Sequence, residues 1–198
     1  MNKKESKYFA TATKMDEALM ELLEKKDFEY ITIREVCERA GVNRSTFYLH
    51  YDNTSDLLQE TTRYVLDKFL TYFNVSSVDY SECGLEKLIF TKKEYVIPYL
   101  TFIKENKRIF KTALKHLGAM GFDAYYNKMF WHIFSPILER FGIDACQRQY
   151  VMKYYLAGIT AVSLEWLEGG CQTPIDTIYE IIVKCTMGLY GAFENEDK

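Results

Sequence analysis

Residues 31–58, ITIREVCERAGVNRSTFYLHYDNTSDLL, decide the fold of this chain. Thr32 and Glu35 have the spacing of a capping box, in which a hydroxyl and a carboxylate each accept a hydrogen bond from the other residue's backbone amide. This spacing predicts a helix from about Ile33. Gly41 stands where a chain leaves a helix with positive φ, which glycine adopts without steric cost. The stretch therefore predicts two short helices joined by a tight turn and followed by a third.

The second of these helices carries polar groups on its outer faces. Asn43 is a favourable N-cap, and Phe47 can pack inward together with either Leu49 or Tyr51. The remaining side chains are left for the other faces: Arg44, Ser45, Thr46, Tyr48 and His50. Donors and an aromatic hydroxyl at the start of a short helix suit the major groove, so the layout predicts a DNA-binding helix-turn-helix. An ordinary three-helix module is the alternative, and the combined spacing favours DNA binding.

The same residues resemble the DNA-binding signature of the TetR family of bacterial transcriptional regulators. Three segments stand at the spacing of that signature: Ala40-Gly41-Val42, Thr46-Phe47-Tyr48 and His50-Tyr51. The chain departs from the family pattern at Tyr51, where Phe is usual, and at Thr54, where a phosphate-contacting Lys is usual. The resemblance implies a dimeric regulator that binds DNA.

We expect the DNA-binding residues to come from the helix-turn-helix and the start of the next helix. They are Thr32, Arg34, Asn43, Arg44, Ser45, Thr46, Tyr48, His50 and Thr54. The second helix supplies the groups that meet bases and phosphates: Arg44, Ser45, Thr46 and Tyr48. Thr32, His50 and Thr54 chiefly hold the DNA backbone, since phosphate contacts set register and base contacts set specificity. In a dimer the two recognition helices lie about 34–36 Å apart, so the double-stranded operator should be near-palindromic.

Composition limits the classes of function. The net charge of -3 argues against nonspecific nucleic-acid binding over the whole surface and still allows a basic arm in residues 1–14. The sequence has no Gly-rich phosphate loop, no paired metal ligands and no nucleophile motif, so we expect no enzyme, no cofactor and no metal. The five scattered cysteines fit a reducing cytosol. Without a signal peptide or a long apolar run, the expected location is the cytoplasm, with no membrane partner.

The rest of the chain predicts an all-α fold, because helical periodicity recurs and strand alternation is not sustained. Helices are expected over about 7–25, 57–72, 85–105, 107–116, 145–168 and 174–194. We expect a kink or break at Pro98 and a linker at 74–84. The predicted domains are a helix-turn-helix DNA-binding domain over residues 1–55 and a helical effector-binding and dimerisation domain over residues 56–198.

The last two predicted helices carry wide apolar faces. Gly188 and Gly191 permit a close approach of helices, so two copies can bury these faces in a twofold four-helix bundle. Burial within one subunit is the alternative. The prediction of a homodimer rests largely on what the resemblance to the TetR family implies.

An effector site is expected among the aromatic residues between 122 and 134. One helix face cannot turn all of these rings toward one core, and exposed aromatic patches mark binding sites, so Tyr126, Phe130 and Trp131 are the candidates. Plain core packing is the alternative. Such a lining suits a small hydrophobic or aromatic ligand. Residues 99–110 and 158–170 also faintly resemble the subgroup that includes regulators of dihydroxyacetone kinase, which implies a protein effector as the other option.

The function expected from the sequence is a dimeric repressor that an effector releases from a palindromic operator. The alternative is a protein-binding coregulator or activator with weak DNA binding of its own. Thr54 in place of Lys and the acidic net charge leave this alternative open.

Overall fold

A computed structural model describes residues 3–73 and 91–187, with side chains over residues 7–73 and 91–186. Within these ranges the protein is helical, which confirms the predicted fold class. The helices before residue 74 are α1 Lys3–Leu23, α2 Ile33–Ala40, α3 Arg44–Tyr48 and α4 Thr54–Leu70. Those after residue 90 are α5 Lys93–Glu105, α6 Lys107–Lys115, α7 Phe122–Met129, α8 Ser135–Arg140, α9 Ala145–Glu168 and α10 Ile175–Met187.

The first compact unit comprises residues 1–70 and 108–125. In this unit α1 packs against α2 and α4. Its core is built from side chains that are almost fully buried: Met15, Leu19, Leu23, Val36, Phe47, Leu57 and Val65. Each large apolar side chain removed from water contributes about 1.5–3 kcal/mol, so this core holds the short helices α2 and α3 in place.

Residues 108–125 join this unit through polar contacts with the C-terminal end of α1 and with Thr62 of α4, whose hydroxyl donates to the Met120 carbonyl at 3.1 Å. The Arg108 guanidinium donates to both carboxylate oxygens of Glu24, at 3.0 and 3.1 Å. His116 lies buried with Nε2 2.8 Å from the Leu23 carbonyl oxygen. The domain boundary expected between residues 55 and 56 stays a prediction, and the compact unit extends beyond it.

The second compact unit comprises residues 71–107 and 126–198. Here α9 packs against α5, α8 and α10. Trp166 is buried and donates from Nε1 to the Thr173 carbonyl at 2.9 Å, which fixes the turn between α9 and α10. The chain turns there through residues with positive φ, Gly170 at 72° and Cys171 at 56°.

Two features of the second unit depart from what local sequence rules predict. Of the kink or break predicted at Pro98, the break is absent because α5 continues through the proline, and the kink stays a prediction. Val96, Leu100 and Ile103 are buried on the two sides of the proline, and this burial holds the helix together. A π-helical segment, Phe130–Phe134, links α7 to α8.

Some predictions fall outside the part of the chain that the structure describes. These are the linker at 74–84, the start of the helix expected from residue 85, and the close approach at Gly188 and Gly191. In the described ranges no helix is both long and apolar enough to cross a membrane.

Candidate nucleic-acid interface

The first helix of the helix-turn-helix begins with the predicted capping box. The Thr32 hydroxyl accepts from the Glu35 amide at 3.3 Å, and the Glu35 carboxylate accepts from the Thr32 amide at 3.0 Å. Lys26 Nζ donates to the same carboxylate at 2.6 Å. The bonds from Lys26 and Thr32 lower the pKa of Glu35 to about 2, so this acid stays ionised and keeps both roles. Thr32 therefore caps α2, a structural role in addition to the phosphate contact predicted for it.

The turn between the two helices depends on glycine. Gly41 has φ 66° and ψ 35°, the left-handed conformation predicted for it. The Val42 amide donates to the Cys37 carbonyl at 3.0 Å, which closes the end of α2. A methyl group on Gly41 would meet no atom within 4 Å, so the demand for glycine comes from the backbone.

The second helix, α3, is capped by Asn43 and anchored by Phe47. Asn43 Oδ1 accepts from the Thr46 amide at 2.7 Å. The Phe47 side chain is fully buried in the core of the unit. Of the two alternatives for the second inward residue, Tyr51 is the buried one, while Leu49 is 76% exposed. One aromatic anchor and one cap thus set the orientation of this short helix.

The outer surface of α3 presents the residues predicted to meet bases. Arg44 is exposed and the Tyr48 side chain is 57% exposed, next to the buried Phe47. The hydroxyls of Ser45 and Thr46 both donate to Asn43 Oδ1, at 2.7 and 2.8 Å. With their protons directed at Asn43, these two hydroxyls can still accept hydrogen bonds through their lone pairs, while Arg44 offers only donors.

Two further predicted DNA-binding residues lie outside α3. Arg34 is exposed on α2 and donates to Glu38, one helical turn on, at 2.7 Å. Thr54 is the first residue of α4, where Asn53 Oδ1 accepts from the amides of Ser55 and Asp56 at 2.8 and 3.0 Å. Thr54 therefore lies at the positive end of a helix dipole, which favours a nearby phosphate although the family's lysine is missing.

His50 occupies a half-buried position directly after α3. Its ring stacks on that of Tyr8 from α1, with 3.9 Å between centroids and 21° between planes. Burial lowers the pKa of His50 below its usual value, which favours the neutral imidazole near pH 7. No local pattern pointed to Tyr8, because Tyr8 and His50 are distant in the chain and meet only through tertiary packing.

The aromatic residues predicted to line an effector site have unlike surroundings. Phe130 is buried with Leu138 and Met152 in a core cluster. Trp131 is 60% exposed and contacts the Phe130 ring edge-on, with centroids 5.1 Å apart. The Tyr126 hydroxyl is buried without a hydrogen-bond partner among the described residues, and burial raises its pKa. That these residues bind an effector stays a prediction.

Helices α9 and α10 line an open cavity of about 210 Å³ whose lining is mainly apolar. Gly158, Val162 and Ile182 are among its lining residues. Tyr154 also lines it and is strongly exposed, as is Tyr150 one turn earlier. These aromatic rings extend the apolar face of α9 into solvent, where it has no partner in the described part of the subunit.

The N-terminal and the C-terminal parts of the chain each match a model of a known protein family. Residues 17–61 match the model of bacterial regulatory proteins of the tetR family, and residues 91–188 match the TetR model for a transcriptional regulator C-terminal region. The chain is 26% identical over 154 residues to an uncharacterized HTH-type transcriptional regulator, YxbF, of Bacillus subtilis strain 168. That match covers 76% of this chain and only 38% of YxbF.

Solved structures support the fold. A TetR transcriptional regulator from Streptococcus agalactiae 2603V superimposes with a TM-score of 0.59 at 20% identity, covering 92% of this chain and 97% of that one. The dihydroxyacetone kinase operon activator DhaS matches with a TM-score of 0.47 at 18% identity, covering 89% and 94%, which is too distant to indicate a shared role. With both of its halves matched by models of one family of transcriptional regulators, the chain belongs to the TetR family.

Proposed function

We propose that this protein is a sequence-specific DNA-binding regulator that acts as a dimeric repressor and is released from a palindromic operator by an effector. The observation that carries the proposal is the surface of α3. Phe47 anchors the helix from below, while Arg44 and Tyr48 stand exposed beside it. A short helix held rigidly by its core side, with donors on its outer side, suits insertion into the major groove.

The proposed DNA contacts fall into two groups, contacts to bases and contacts to phosphates. Arg44 can give a bidentate contact to guanine, and Tyr48 adds a hydroxyl and an apolar ring beside it. Ser45 and Thr46 on α3 are proposed to meet bases or phosphates. The residues proposed to hold phosphates and set register are Thr32, Arg34, Asn43, His50 and Thr54. Because Ser45 and Thr46 direct their protons to Asn43, each must turn its hydroxyl to donate to a phosphate, or else accept from a base amino group.

The proposed dimer uses the apolar face of α9 and α10. The cavity between these helices and the exposed rings of Tyr150 and Tyr154 form a surface that a second copy can cover. A twofold axis would pair the same two helices from each subunit in a four-helix bundle. The dimer would then supply the two recognition helices that a palindromic operator requires.

The proposed effector acts in the second unit, with Tyr126, Phe130 and Trp131 among its contacts. Chain connectivity supports coupling to DNA, since residue 125 ends a segment of the first unit and Tyr126 begins the next segment of the second. The linkage between effector and DNA binding should amount to roughly 1–3 kcal/mol. A small hydrophobic or aromatic ligand suits these rings, and a protein effector is the other option.

A protein-binding coregulator or activator with weak DNA binding is the second candidate. Two observations favour it: the net charge of -3, and Thr54 where the family pattern has lysine. Both reduce the attraction to phosphates on which most nonspecific affinity depends. In either role the protein would act in the cytoplasm, where bacterial DNA lies.

Selection of bound DNA from a random duplex library tests the proposal. The full-length protein should enrich near-palindromic sites whose half-sites are spaced by about one helical turn or a multiple of it. The matched control is Arg44→Ala, which removes a proposed base contact from an exposed position and should lose enrichment at one position of each half-site. Recovery of no common sequence by the unaltered protein would contradict specific DNA binding and favour the coregulator.

A further inference from the structure

The stack of Tyr8 on His50 connects the first turns of α1 to the end of the recognition helix. The rings are nearly parallel, with their centroids 3.9 Å apart. Tyr51 adds a tilted contact to the same imidazole, with 5.9 Å between centroids. Tyr8 itself stays 48% exposed, so its ring covers the histidine without being part of the buried core.

This arrangement leaves the two nitrogens of His50 in different surroundings. Nδ1 is buried and has no hydrogen-bond partner among the described residues. Nε2 is therefore the nitrogen that remains able to meet a ligand. A buried N–H without an acceptor is rarer in proteins than a buried acceptor without a donor, which favours the tautomer with its proton on Nε2. The ring thus offers one N–H group, which lies in the plane of the imidazole at its edge.

The groups that face the imidazole give it no compensating charge. Tyr8 from α1 and Tyr51 from the segment after α3 are the ring neighbours, and burial raises the pKa of Tyr51. Burial lowers the pKa of His50 below its usual value, which favours a neutral ring as the donor near pH 7. A neutral donor adds no counterion release, and its contribution to DNA affinity should not depend on salt.

We propose that Tyr8 is a positioning residue for DNA binding: its ring holds the His50 imidazole so that Nε2–H donates to a backbone phosphate beside the recognition helix. The inference rests on the proposed function. It adds a residue that the helix-turn-helix motif does not contain, and it gives His50 the part of an oriented neutral donor in place of a cationic phosphate contact. The alternative is that Tyr8 touches DNA directly and is independent of His50.

The first arm of the test uses the full-length protein without DNA. The chain has three histidines, so their ring protons can be followed through a pH titration by NMR, and the His50 signal is assigned as the one lost in His50→Gln. Tyr8→Ala should move the pKa of His50 up toward its ordinary value of 6.5, because the ring becomes solvated. Tyr8→Phe, which keeps the stack and loses only the hydroxyl, should leave that pKa where it is.

The second arm measures affinity for the selected operator. Tyr8→Ala should weaken binding by about 2- to 10-fold, as expected for the loss of one aromatic pair, and Tyr8→Phe should restore it. In a His50→Ala background, Tyr8→Ala should cause no further loss. Tyr30→Ala, at an exposed tyrosine of the same unit, is the matched control and should bind as the unaltered protein does. Circular dichroism of each variant verifies folding, and Tyr8→Leu gives a second variant that keeps apolar bulk without the stack.

The outcomes distinguish a positioning role of Tyr8 from a direct contact of Tyr8 with DNA. A full loss from Tyr8→Ala in the His50→Ala background would overturn the proposal, because Tyr8 would then act on DNA by itself. An unchanged pKa of His50 together with unchanged affinity in Tyr8→Ala would also overturn it. If the unaltered protein binds no DNA sequence specifically, the proposed function fails and this inference fails with it, even where the titration shows an intact stack.

Discussion

At the scale of single residues, a buried acid on α1 contributes to the pH dependence of the first unit. Asp16 is buried, and the Thr61 hydroxyl on α4 donates to its Oδ1 at 2.9 Å. Burial raises the pKa of Asp16 to about 7; Glu60 and Glu17 add to the rise, and the bond from Thr61 opposes it. The acid therefore holds a proton in the folded protein that it loses in the unfolded chain.

The sign of the effect follows from proton binding. Between pH 3.8 and about 7 the folded state keeps the proton and the unfolded state does not, so stability falls as the pH rises through this range. Asp16→Asn can keep the bond from Thr61 and carries no charge. It should stabilise the protein at pH 8, by no more than about 4 kcal/mol, and have little effect at pH 4.

Urea unfolding at pH 4 and pH 8 measures this difference. Glu29→Gln, which neutralises an exposed acid of the same unit, is the control and should change stability little at both pH values. An equal change in the free energy of unfolding by Asp16→Asn at the two pH values would show that the raised pKa has no part in stability.

At the scale of elements, the local interactions of the helix-turn-helix could be predicted from the sequence. The bonds between Thr32 and Glu35, the cap at Asn43 and the positive φ of Gly41 each depend on residues no more than four apart. Interactions over longer distances could not be predicted. The choice of Tyr51 over Leu49 as the inward residue depends on where the core lies, and the stack of Tyr8 on His50 depends on the packing of α1.

The second half of the chain shows the same limit. Helix α9 could be predicted from its periodicity, and its observed bounds, Ala145–Glu168, agree with the predicted range. The continuity of α5 through Pro98 depends instead on burial of residues before and after the proline. Composition could indicate that residues 122–134 hold more rings than one core accepts, but only tertiary packing decides that Phe130 is buried and Trp131 exposed.

The turn at Gly41 gives a stability prediction for one element. Gly41→Ala should destabilise the protein by about 1 kcal/mol, because alanine must adopt φ near 66° there while its methyl group meets no clash. Gly118→Ala is the matched control: this glycine also has open space around its Cα and has no positive φ, so the change should be near neutral. Equal destabilisation by both substitutions, measured by urea unfolding, would argue against a special backbone demand at Gly41.

At the scale of the whole molecule, the proposed regulator needs two copies of the chain. Gly158 lines the cavity on α9, and a side chain added there meets no atom within 4 Å of its Cβ. Gly158→Glu should therefore leave the single subunit folded. In the proposed interface, the same change would bury an unpaired carboxylate, so the dimer should dissociate to folded monomers.

Analytical ultracentrifugation tests this prediction. The control is Asn127→Glu, which adds the same charge to an exposed residue of α7 and should remain dimeric. An unaltered protein that sediments as a monomer would contradict the proposed dimer. A Gly158→Glu variant that remains a dimer would show that the two copies associate through another surface.

Operator binding by variants of α3 tests the central claim most directly. Arg44→Ala and Tyr48→Ala should each weaken binding to the selected operator by about 1–3 kcal/mol at fixed salt, as expected for a lost base contact. Binding to a scrambled duplex should change less in Tyr48→Ala, because a contact that reads bases adds little to nonspecific affinity. Tyr30→Ala serves as the exposed-tyrosine control. Undiminished operator affinity in both α3 variants would contradict the assignment of this helix as the one that recognises DNA.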